Sequence, residues 1–316
     1  MILLRTVDRK GEHDMEIVPG IHRIQSDIGP RIMCQYYFDG PDRRLLVDTG
    51  IGPTPEEVIA PFLEGIGSSI EAVDDVIVSH ADLDHCGGDR LLNKLNPRAR
   101  LWCHELDRPW IESNTAMMNE NYGWHAAFGF PRPNDEDRAS MLADLGGDCP
   151  VDFGLRGGET IRLGPDWRVE VMHLPGHSLG HLGIWDPRSG AAIILDAVLE
   201  RGIYSRAGKL LIPPRYYDAT AYQNTIRRLI SLKPSFLLTA HYDVMEGDNA
   251  IEWLEKGLAY TYELHDTVRE ALRNGITDLW ELTQYADKKL GPYPDFMTEL
   301  GASVRSHVNM PGMPVR

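Results

Sequence analysis

Four side chains able to bind a metal crowd into six positions of the stretch VSHADLDHCGG: His80, Asp82, Asp84 and His85. Imidazoles and carboxylates at this density are the donor types of a zinc, iron or manganese centre. The residues just before them, VDDVIVSH, include Val76, Ile77 and Val78, a β-branched run of the kind that fills the middle of a sheet. A buried strand that empties into His and Asp needs a partner to neutralise them, and a metal ion is the simplest. If the chain leaves the strand still extended, positions 80, 82 and 84 lie on one side, and His85 joins them where the chain turns into a helix.

The remaining ligands must come from other strand ends. Three later stretches qualify: LPGHSLGH (174–181), ILDAV (194–198) and LTAHYD (238–243), each closing an apolar, strand-like run with His or Asp. Taken singly, such a His is ordinarily a hydrogen-bonded core residue and such an Asp a cap or turn; the set carries the weight.

The elements that would position these residues alternate. Extended segments are expected at 15–26, 31–39 and 43–50, divided by Gly and Pro turns. A helix opened by Thr54 and Pro55 follows, then the strand ending at His80, a helix in GGDRLLNKLN and a strand in ARLWCHE. Strands return in GETIRLG, WRVEVMHLPG and GAAIILDAVL, then a helix in YQNTIRRLISL and a strand in FLLTAHYDV. This is the pattern of an α/β layered domain. Residues 105–150 break it with Met117, Met118, Tyr122, Trp124, Phe128 and Phe130 and a polar Pro-rich stretch, a helical insertion or substrate lid. From about 250 onward the pattern is helical.

The totals narrow the partners. A chain of 316 residues with 42% hydrophobic content can bury a sizeable core. Its 32 Lys and Arg against 47 Asp and Glu give a net charge of −15, which argues against a nucleic-acid partner. The apolar start of MILLRTVDRKGEHD is too short for a signal peptide, and no run is long enough to cross a bilayer. Cys34, Cys86, Cys103 and Cys149 are widely spaced and form no CxxC pair, as expected of buried thiols in a reducing cytoplasm.

HADLDH, LPGHSLGH, Asp196 and His241, in this order and at these separations, resemble the metallo-β-lactamase superfamily, whose members carry HxHxDH, then a PGH motif, a later Asp and a final His. LLVDTGIG near residue 50 resembles the strand and turn that precede the ligand loop in that family. The resemblance implies a four-layer αββα sandwich over residues 1–250, with 105–150 as insertion and 251–316 as a helical extension that covers the site, forms a homodimer interface, or both. It implies that His80, Asp82 and His177 bind a first divalent ion, that Asp84, His85 and His241 bind a second, and that Asp196 bridges them. His181 and His173 match no ligand position and are expected to be supporting or structural.

The resemblance further implies a hydrolase in which hydroxide held between two ions, oriented by Asp84, cleaves a small-molecule ester, lactone or thioester. Tyr204 and Tyr242 are candidate oxyanion stabilisers or proton donors, and Trp124, His125 and Phe128 candidate substrate contacts. Zinc is the expected metal, with iron or manganese as alternatives. A di-iron or mononuclear-iron oxidoreductase on the same fold is the rival reading; it would need a separate flavoprotein partner.

One position departs from the family pattern: Asp82 stands where His is usual. Four neutral His, three Asp, two divalent ions and one hydroxide sum to zero, so the site is expected to attract anionic substrates such as phosphodiesters less than an all-His version. The added oxygen donor favours harder ions. Competitive loading of the apoprotein is therefore expected to show a preference shifted from zinc toward iron or manganese relative to Asp82→His; a clear zinc preference unchanged by that substitution would contradict it.

Overall fold

The computed structural model describes residues 15–310, so MILLRTVDRKGEHD, read above as no signal peptide, lies outside the described residues. Seven strands form the first sheet in sequence order: β1 (Met15–Val18), β2 (Ile21–Ile28), β3 (Arg31–Asp39), β4 (Arg44–Val47), β5 (Asp75–Ile77), β6 (Arg100–His104) and β7 (Phe153–Leu155). Strands β1 to β4 pair antiparallel, and β4 to β7 pair parallel. Next come β8 (Thr160–Arg162), β9 (Arg168–His173), β10 (Leu182–Asp186) and β11 (Ala191–Ile193), then a ribbon of β12 (Ile203–Tyr204) and β13 (Leu210–Ile212), then β14 (Phe236–Leu238) and β15 (Met245–Glu246). The second sheet runs β15-β14-β11-β10-β9-β8.

Strand alternation makes the layers. Leu45, Val47 and Ile77 join Val171, Ile184, Ile193 and Leu238 in one cluster between the sheets. Their neighbours Leu46, Val76 and Val78 face the other way, onto Val58, Ile59, Leu63 and Leu92 of the first helices. On the second sheet Ala192, Ile194 and Leu237 pack outward on Tyr222, Ile226, Leu254 and Leu264. Two sheets buried on both faces need helices on each side, so the fold is the expected four-layer αββα sandwich.

The strand of LGIWD, β10, is absent from the expected set. Gly183 interrupts its apolar run because a Cβ there would lie 2.7 Å from the Ile193 carbonyl and 2.6 Å from the Leu174 side chain. A glycine required by close backbone approach thus looks, in sequence, like a turn.

The insertion folds as short helices, among them Arg108–Ile111, Met117–Asn121, Trp124–Phe128 and Asp135–Asp144, with Met117 and Met118 buried against the first sheet's outer cluster. Helices Gly247–Arg273, Leu279–Leu290 and Met297–Val308 make up the C-terminal region. The expected boundary at 250 falls in the first turn of Gly247–Arg273, and Leu254, Tyr260, Leu282 and Leu300 share a hydrophobic cluster with the second sheet. Among the described residues no helix is long and apolar enough to cross a membrane. All four cysteines are free and buried, as expected.

His307 of helix Met297–Val308 is fully buried, its Nε2 2.8 Å from the Tyr216 hydroxyl. Burial, aided by His265, pushes its pKa down to about 3. Below pH 6.5 the unfolded chain's imidazole takes a proton that the folded one refuses until about pH 3, so acid favours unfolding across that window. Urea titrations are expected to lose about 1.4 kcal/mol of stability per pH unit there from this group. In His307→Gln the slope should flatten by that amount.

Candidate metal centre

The expected ligands gather at one edge of the sandwich, each on the segment leaving a strand: His80 and Asp82 beyond β5, His177 beyond β9, Asp196 beyond β11 and His241 beyond β14. A short helix, Leu83–Cys86, presents Asp84 and His85 and ends at Cys86. Ligand atoms of His80, Asp82 and His177 lie within 4.8 Å of one another, as do those of Asp84, His85 and His241. Asp196 falls within the same limit of His80 and His85, with its Oδ2 3.3 Å from His241 Nε2. All seven are buried.

Hydrogen bonds fix how each imidazole points. His177 Nδ1 donates to the Arg215 carbonyl at 2.9 Å and His241 Nδ1 to the Ile32 carbonyl at 2.7 Å. His85 Nδ1 donates to Asp48 at 2.7 Å. Ser79 spends its hydroxyl proton on Asp48 and so accepts from His80 Nδ1, at 2.8 and 2.9 Å. With every Nδ1 committed to a hydrogen bond, all four rings turn Nε2 to the centre. Asp48, fully buried in LLVDTG, thus orients two imidazoles at once. Asp107 does the same for the loops, accepting from Ala81 N at 3.3 Å, Ser178 Oγ at 2.5 Å and Gly180 N at 2.8 Å. Gly176 lets LPGH approach helix Ala219–Leu232; its φ is +139°, and a Cβ there would sit 2.4 Å from the Tyr222 Cα.

Lone pairs and carboxylates facing each other repel unless positive charge lies between them. His80 and His177 Nε2 stand 3.0 and 3.2 Å from Asp82 Oδ2, and His85 Nε2 stands 3.5 Å from Asp196 Oδ2. His85 Nε2, His241 Nε2 and Asp196 Oδ1 are buried without any hydrogen-bond partner. Buried polar atoms are rarely left so. The donor set and its orphaned atoms fit divalent metal ions.

Positive charge also comes from the chain. Arg215, fully enclosed, donates to Asp82 Oδ2 and to His177 Nε2, the latter at 3.1 Å, while Arg31 reaches Asp84 Oδ2 at 3.0 Å. Burial raises the Asp82 pKa, but Arg215, His177 and His80 outweigh it and hold the carboxyl well below its ordinary range. Burial lowers the His85 pKa, yet Asp48 and Asp196 outweigh that and favour positive charge there. The ligand count that gave a neutral site leaves out charges the motifs do not encode: the guanidiniums of Arg31 and Arg215, and the carboxylates of Glu299 and Asp48 that contact Arg215 and His85.

The other candidates divide. Trp124 and His125 line a cavity of about 900 Å³ that opens on the ligands, together with Tyr122, Phe130 and Arg138. Phe128 does not; it faces a separate hollow with Thr277 and Leu279. Tyr204 lies on the β12 ribbon beside Glu200, and Tyr242 spends its hydroxyl on the Leu199 and Gly202 carbonyls. Neither lines the cavity, so both tyrosines are corrected as site residues, and Phe128 as a contact. The tyrosine at the cluster is Tyr122, whose hydroxyl donates to Asp82 at 3.2 Å and accepts from Leu83 N at 2.8 Å. Burial and Asp82 raise its pKa well above the ordinary phenol value, which keeps it protonated. His181 stacks on His80 at 4.7 Å, and His173 stacks on His104 at 4.4 Å, away from the ligands. Arg31, Tyr122, Arg215 and Glu299 were missed as site residues; nothing in their local sequence distinguishes them.

A family profile described as the metallo-beta-lactamase superfamily matches residues 33–241. The transcription termination factor FttA of Methanocaldococcus jannaschii is 47% identical over 145 residues, 46% of this chain and 21% of that protein; the chain thus spans about a fifth of this relative. Hydroxyacylglutathione hydrolase of Fuscovulum blasticum is 27% identical over 101 residues, 31% of this chain and 35% of that protein. A metallo-beta-lactamase family protein from Thermus thermophilus superposes with a TM-score of 0.70 at 20% identity, over 92% of this chain and 93% of that one. The match to a protein named for transcription termination overturns the exclusion of nucleic acid. A net charge of −15 is an average over the surface, and Arg31, Arg132, Arg138 and Arg215 all line the cavity.

If Asp48 orients His85 and, through Ser79, His80, then Asp48→Asn is expected to weaken metal binding about 10–100-fold while the fold persists. Competition with a chromogenic chelator, alongside circular dichroism, measures both; unchanged affinity would contradict the role.

Proposed function

We propose that the chain, which belongs to the metallo-beta-lactamase superfamily, is a metal-dependent hydrolase that cleaves a small-molecule ester, lactone or thioester. The observation that carries this reading is the convergence of four imidazole Nε2 atoms and three carboxylates beside a largely apolar cavity of about 900 Å³. Divalent ions held by His80, Asp82 and His177 and by Asp84, His85 and His241, with Asp196 between, would polarise a carbonyl and lower the pKa of a water.

The chain's own groups supply the rest. Tyr122, kept protonated, is the hydroxyl donor at the cluster and takes the role first given to Tyr204 and Tyr242. Trp124, Phe130 and Met118 offer an apolar wall to an acyl or aryl group. His125, buried with Nδ1 unpartnered and its pKa lowered by burial, offers a neutral polar contact there.

A second reading is favoured by the identity to a termination factor and by the arginines around the cavity: the same centre would act on a nucleic-acid phosphodiester. A panel separates the two. Metal-reconstituted protein is assayed on nitrophenyl esters, lactones, thioesters, a nitrophenyl phosphodiester and single-stranded RNA. Carboxyl ester or lactone turnover that chelation abolishes, metal restores and His241→Ala removes is the expected result. Turnover of phosphodiesters alone would replace the first reading with the second, and turnover that survives chelation would sink both.

A further inference from the structure

Resting on the metal-dependent reading above, we propose that Arg215 makes the two ligand trios unequal: its guanidinium serves as the resident cation of the His80–Asp82–His177 trio, and the first divalent ion goes to Asp84, His85, His241 and Asp196.

The two trios differ in what already satisfies them. One guanidinium nitrogen of Arg215 donates both to Asp82 Oδ2 and to His177 Nε2, two of the three atoms that would hold an ion there. The same guanidinium is fixed from behind. Its Nε lies 3.2 Å from Glu299 of helix Met297–Val308, the Tyr217 ring lies 5.4 Å from its centre, and the residue is 4% exposed. A divalent ion entering this trio must turn the guanidinium out of a buried ion pair, or share its ligands with a positive charge a few ångströms away.

The second trio presents no such obstacle. His85 Nε2, His241 Nε2 and Asp196 Oδ1 have no hydrogen-bond partner, so an ion there displaces no guanidinium and at most an imidazole proton. Arg31 touches this trio only through Asp84 Oδ2. Position 82 follows from the same logic. A carboxylate can pair with a fixed guanidinium, whereas a histidine in its place would set a neutral ring against a buried cation. Glu299 makes the C-terminal helix a positioning element for the centre.

The test is calorimetric titration of full-length apoprotein with zinc and with manganese, with bound metal measured per chain after dialysis. Wild type is expected to take one ion tightly and a second at least tenfold more weakly. Arg215→Met should strengthen the weaker event at least tenfold. Asp82→Asn should leave the tight event in place, and His241→Ala should remove it. Two ions of equal affinity in wild type would overturn the proposal, as would a tight event lost in Asp82→Asn and kept in His241→Ala. These outcomes decide the matter even if Arg215→Met fails to fold. A wild-type chain that takes no ion would instead overturn the metal-dependent reading itself.

Discussion

Four imidazole Nε2 atoms aimed at three buried carboxylates form an arrangement that the fold sustains only with positive charge between them, whether as protons, guanidiniums or metal ions. The Nδ1 bonds to Asp48, Ser79, Arg215 and Ile32 leave the rings no choice of face. The sandwich exists, in functional terms, to hold that unfavourable arrangement steady. Its two sheets are packed on both faces, so the strand ends that carry the ligands are fixed by clusters lying well behind them.

Positive charge reaches this pocket by two routes. One is the metal ions that the donors fit. The other is Arg31 and Arg215, drawn from the start of β3 and from the segment after β13. A site balanced by both differs from one balanced by metal alone, because a guanidinium also brings directional donors and a planar face. The field in the cavity follows its lining rather than the total, and that lining sets Arg31, Arg132, Arg138 and Arg215 against Asp82, Asp84, Asp137, Asp144, Asp196 and Glu299.

Much of this was legible in the sequence. HADLDH, LPGHSLGH, Asp196 and His241 each end an apolar run, and a buried run that closes on a titratable residue carries its own signal. Strand and helix alternation indicated an α/β layered domain, and the family resemblance implied its four layers. What stayed hidden depends on contacts between distant segments. Arg215 sits in PPRYYD and Glu299 in an ordinary amphipathic helix, and neither stretch reveals its partner, 84 residues away in the other. Tyr242 misled for the opposite reason: it follows the ligand His241 in sequence, but its hydroxyl points back to the Leu199 and Gly202 carbonyls. Gly183 hid a strand because close packing and turning both call for a missing side chain.

Asp107 stands at the root of the insertion and grips both the HADLDH segment and the LPGHSLGH segment. The insertion is consequently less a flap laid over a finished site than a lever with its fulcrum among the ligands. Its aromatic arm is tied to the same segment at a second point, where Asn121 donates to the Ala81 carbonyl at 2.6 Å. The insertion is thus part of the scaffold of the ligand loops, and any coupling between what fills the cavity and what binds the ligands would act equally in both directions.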